Sequence, residues 1–279
     1  MAGDLPLAQR RAEDALRQPA SSDPNSLGMP KTVLSRTYAL TGQPERGAEI
    51  ARQARQESAQ RGWDVYAGAF YAMEAMAWTA GGNYAAARGP ALEAVEVARK
   101  AGNPGTSATA CYAAAQALWL DDPQTARTLI DDTLVLTRAG AHDLIHGIAL
   151  SLAGAIRART GDLPGALTVL QEATVQQHGD GNRIWLGATL QRAAAVLARL
   201  GDPEPAAILA GAVAAHFTVA VGNVHAQEQA EIDDAQSNAR HALGEAAYTT
   251  ALRRGAAMDD HEMVDYALAE FRRLTALST

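Results

Sequence analysis

The feature that most constrains this chain is a beat of about forty residues. Five short breaker segments read TGQPERG from Thr41, GGNYAAA from Gly81, DDPQTA from Asp121, GDLPGA from Gly161 and GDPEPA from Gly201. In each the breaker is followed by a small residue that closes the segment: Gly47, Ala87, Ala126, Ala166 and Ala206, spaced 40, 39, 40 and 40 apart. A second set of breakers, Gly62, Gly102, Gly140 and Gly179, lies between them at spacings of 40, 38 and 39. A fixed period of this length is the signature of stacked supersecondary units, each too small to bury its apolar face alone.

The punctuation predicts what each unit contains. Asp or Asn beside the first breakers reads as a helix N-cap, and Pro in the first turn is tolerated because its missing N–H has no intrahelical partner there. The second set of glycines reads as helix C-caps, where a left-handed backbone costs Gly least. Each unit is therefore helix, short turn, helix, short turn. The first helices are expected over 64–79, 106–120, 141–160 and 182–200, and a second helix follows each breaker. Ala166, Val169, Leu170 and Ala173 fall at i, i+3, i+4 and i+7, one face of such a helix. The small residue has a use, since two antiparallel helices joined by a tight turn cross closest near that turn. The expected fold is thus all-α, a right-handed α-solenoid of tetratricopeptide-like helix pairs with a period near 40 residues. Tetratricopeptide repeats ordinarily run to about 34 residues. HEAT repeats share the longer period but lack this Gly-Asp-then-Ala signature.

Composition agrees. The chain has 279 residues, is 48% hydrophobic with much of that Ala, and contains only 5% aromatic residues, which favours close-packed helices over sheet. The net charge of −7 and the dispersed Arg residues leave no clustered cations to displace counterions from a nucleic acid, so direct DNA or RNA binding is not expected. The start, MAGDLPLAQRRAEDALR, has no apolar signal core, and no 18-residue uncharged apolar run exists to span a membrane. The single Cys111 marks no oxidising compartment, and the expected location is the cytoplasm.

Residues 1–222 are read as helical repeats and 223–279 as C-terminal capping helices. Gly3–Ala8 matches Gly161–Ala166 nearly letter for letter, and Ala8 lies 39 residues before Gly47. The chain therefore opens at an orphan second helix, which is expected to fray or to pair with a copy of itself in a homodimer. The stretch GEAAYTTALRRGAAMDDHEMVDYAL, Gly244 to Leu268, resembles the end of the MalT-like helical-repeat region of large actinobacterial signalling ATPases. Those are the LuxR-type or AfsR-like transcriptional regulators and the cyclase-linked ATPases. Gly244-Glu245, Tyr248, Gly255, Met258 and Tyr266-Ala267-Leu268 carry the resemblance, with GDPEPAAILAGAVAAHF from Gly201 upstream. The resemblance implies signal transduction or transcription regulation, with an upstream ATPase domain in a longer parent protein; the chain itself has no room for that domain.

Motifs that carry chemistry are missing from the sequence. Lys31 follows Pro30 and Lys100 follows Arg99, so no Gly-Lys phosphate loop can form. His261-Glu262 has Asp265 where a zinc protease needs His. His142 and His146, at i and i+4 with Asp143 nearby, are too few ligands for a tight metal site, so no metal and no cofactor is expected. Cys111 reads as a buried inert thiol, and Trp63, Trp78, Trp119 and Trp185 as packing between repeats. The expected role is a non-catalytic interaction or sensor module, not an enzyme, binding a protein, a peptide or a small effector on a concave face built from the first helices. Tyr66, Phe70, Tyr112, His146, Arg183 and Trp185, unusually large or polar for those helices, are its expected wall. The alternatives are a transcription-factor fragment contacting DNA directly, or an enzyme with an unrecognised site.

Overall fold

The computed structural model describes residues 5–17, 25–63, 66–140, 143–217 and 226–277. Among them there are fourteen helices and no strand, so the chain is all-helical. The helices are α1 (Leu5–Arg17), α2 (Asn25–Leu40), α3 (Pro44–Gln60), α4 (Ala67–Ala80), α5 (Tyr84–Ala101), α6 (Pro104–Leu118), α7 (Pro123–Arg138) and α8 (Asp143–Arg159). They continue as α9 (Leu163–Gly179), α10 (Arg183–Arg199), α11 (Pro203–His216), α12 (Ala226–Leu243), α13 (Glu245–Ala256) and α14 (Asp260–Leu277). None is long and apolar enough to cross a membrane. The chain divides into two compact units between Ala149 and Leu150, a point that falls inside α8.

The turns explain why the helices start and stop where they do. Asn83, Asp122 and Asp162 each accept a hydrogen bond from a backbone N–H three residues on, those of Ala86, Thr125 and Gly165, at 3.0–3.1 Å. Asn103 does the same for Thr106 at 2.9 Å. Asp202 stands at the N-cap of α11 but makes no such bond; it pairs with Arg273 of α14 instead. Gly62, Gly102 and Gly140 adopt left-handed backbones, as expected. Gly179 does not. It is the last residue of α9, and the left-handed residue is Gly181, with φ of 64°. Asp180 is the C-cap of α9, and the left-handed residue follows it.

The small residues sit where helices meet. Ala87, Ala126, Ala166 and Ala206 are all fully buried. Gly47 is tighter still, since a Cβ there would come 2.5 Å from the Ser35 carbonyl oxygen of α2. In the first unit each helix packs on its neighbours in sequence, and α4 also packs on α2 and α6. In the second unit α10 packs on α9, α11 and α12.

The end of the chain departs from this pattern. α13 packs chiefly on α11 rather than on α12, and α14 reaches back to α9. Two glycines make the α11–α13 crossing possible: a Cβ on Gly211 would overlap the Leu252 carbonyl, and one on Gly255 would overlap that of Ile208. Met263, Val264, Ala267 and Phe271 of α14 are all but completely buried, in one cluster with Ala166, Leu170 and Leu209. Asp259 begins α14 with a capping box, accepting from the N–H groups of His261 and Glu262 while Glu262 accepts from its own N–H.

Candidate functional site

Tyr66 and Phe70 are brought together. Gly62 turns the chain out of α3, and the loop that follows is pinned at both ends. Ser58 Oγ donates to the Trp63 carbonyl at 2.9 Å, the Trp63 N–H donates to the Ser58 carbonyl at 2.9 Å, and the Tyr66 N–H donates to the Trp63 carbonyl at 3.1 Å. Trp63, Tyr66 and Phe70 then wall a small pocket floored by Gly28 and Ala54. Its polar end is an ion pair, Lys31 Nζ to Glu57 Oε1 at 2.6 Å. Only 10% of the Lys31 side chain is exposed, against 41% of Glu57, so the ammonium is the buried partner and the carboxylate faces outward. Arg61 stacks over the Trp63 ring at 5.0 Å.

Below the pocket lies a charged clamp. Glu74 of α4 is buried and accepts from Arg52 and Arg55 of α3, each at 2.9 Å. Arg55 also lies 4.0 Å over the Tyr71 ring. With both of its carboxylate oxygens engaged, Glu74 holds α3 to α4.

The other expected wall residues fall elsewhere. Tyr112, on α6, is 3% exposed and belongs to the packed interior. Burial pulls the guanidinium of half-buried Arg36 on α2 below its ordinary range, and the neighbouring Tyr112 opposes that shift. His146, on α8, is half-buried with Nδ1 2.7 Å from Thr137 Oγ1. His142 lies outside the described residues, and among those described no three His, Cys, Asp or Glu side chains group closely enough to hold a metal ion. Arg183 and Trp185 lie in the second unit, on α10. Arg183 is exposed, pairs with Asp260 and stacks over Phe217 at 5.0 Å. Trp185 is half-buried. Of the four tryptophans, only Trp119 is fully buried; Trp63 and Trp78 are half-buried.

A polar seam in the second unit has no counterpart among the residues singled out from sequence. Arg192 of α10 is bidentate to Glu228 of α12, at 2.6 and 3.0 Å, and its remaining NH1 donates to Ser151 Oγ of α8 at 2.8 Å. Thr189 Oγ1 lies 2.8 Å from both Ser151 Oγ and Gln177 Oε1. Gln191 donates to Gln229 at 3.0 Å. Ser151, Gln177, Thr189 and Glu228 are all buried. The available signal was Gln191-Arg192, two long polar side chains interrupting the small apolar run of α10.

Ser151 touches Arg192 and Thr189, neither of which is a base. Burial pushes the Cys111 thiol up to about 11, leaving it protonated near neutral pH and a poor nucleophile.

No protein-family model matches the chain, and no curated protein matches it in sequence. Among solved structures it is similar to the crystal structure of BtubC (BKLC) from P. vanneervenii. The TM-score is 0.53 at 17% sequence identity, over 86% of this chain and 91% of that one. At that identity the likeness is one of fold.

Proposed function

We propose that the chain is a non-catalytic helical-repeat interaction or sensor module. In this reading its helix pairs build a right-handed α-solenoid of tetratricopeptide-like kind, and it binds a protein, peptide or small effector on the side formed by its first helices. The observation that carries the reading is the pocket of Trp63, Tyr66 and Phe70, with the buried Lys31 ammonium at its base and the outward Glu57 carboxylate at its lip. The cleft has only about 10 Å³ of free volume, so its aromatic edges and ion pair serve as a surface contact for a protein or peptide rather than as a cavity enclosing a small molecule. The resemblance of the Gly201–Leu268 stretch supports reading it as the module of a cytoplasmic signalling or transcriptional regulator, downstream of an ATPase domain. In that setting the repeats report binding and the chemistry belongs to other domains.

The test is affinity capture from the source-cell lysate with the wild-type chain, Tyr66→Ala and Lys31→Met, each checked for unchanged helicity. A partner or small molecule held by wild type and lost by both variants supports the reading. Capture that both variants leave intact, or turnover of a substrate that either abolishes, contradicts it.

A further inference from the structure

We draw no further inference here: the strongest candidate, the buried polar seam of Ser151, Thr189, Arg192 and Glu228 that seats α12 on α10, belongs to the packing of the second unit already described, and nothing in the structure shows what would take the place of α12 there.

Discussion

The repeat pairs and the C-terminal helices bring backbones together by different means. Between α4 and α5, or α8 and α9, a three-residue turn holds the two helices together, and one fully buried alanine just past it is small enough for the crossing. α11 and α13 have no such tether, since α12 lies between them in sequence. Their crossing is made by Gly211 and Gly255, each against a carbonyl of the facing helix. α12 is seated on α10 by the buried pair of Arg192 and Glu228 beside an apolar cluster of Ala195, Ile232 and Ala235. A tethered crossing tolerates a methyl group at Ala87 and Ala166 and excludes one at Gly47, where the Ser35 carbonyl is the neighbour; the non-local crossing of α11 and α13 excludes one at both of its glycines.

The largest expected effect breaks the non-local seat of α12. Arg192→Ala leaves the Glu228 carboxylate buried without its partner, which should destabilise by about 3–5 kcal/mol. Denaturant melts would show it, and the double variant Arg192→Met with Glu228→Leu should recover much of the loss. Gly255→Ala comes next. Its methyl meets backbone rather than a flexible side chain, so the cost should lie at the upper end of the ~1–3 kcal/mol typical of overpacking. Ala166→Leu tests the tethered kind of crossing, where α9 can tilt about its turn; a loss within that same ~1–3 kcal/mol range, but smaller than for Gly255→Ala, sharpens the contrast. The smallest effect is at Gly89, inside α5. A Cβ there meets nothing beyond its chain neighbours, but Pro90 follows and disfavours the helical region for a residue with a Cβ, so in the same melts Gly89→Ala should shift stability by less than about 1 kcal/mol.

The same difference decides what could be seen in the sequence. Turns and their small residues are local, so the caps at Asn83, Asp122 and Asp162 and the buried Ala87, Ala126 and Ala166 stand in the sequence at a readable spacing. Gly181 was displaced from the expected Gly179 because a period fixes a turn only to within a residue or two. The α11–α13 crossing and the reach of α14 to α9 were not legible, because nothing in a local pattern says which distant helix a glycine faces. The site was legible in part. Tyr66 and Phe70 share a pocket because both stand in the first turn or two of α4. Tyr112, equally conspicuous in sequence, is interior. Lys31 and Glu57 were missed because their pairing joins α2 to α3 across 26 positions, and Arg192 and Glu228 because theirs spans 36.

Hydrogen exchange on wild type and Gly255→Ala tests this contrast most directly. If the repeat pairs are held by their own turns and nearest neighbours, the variant should lose protection in α11, α13 and α14 while the amides of α3 to α6 exchange as in wild type. Uniform loss of protection from α3 to α14, or no loss in α11 and α13, would contradict it.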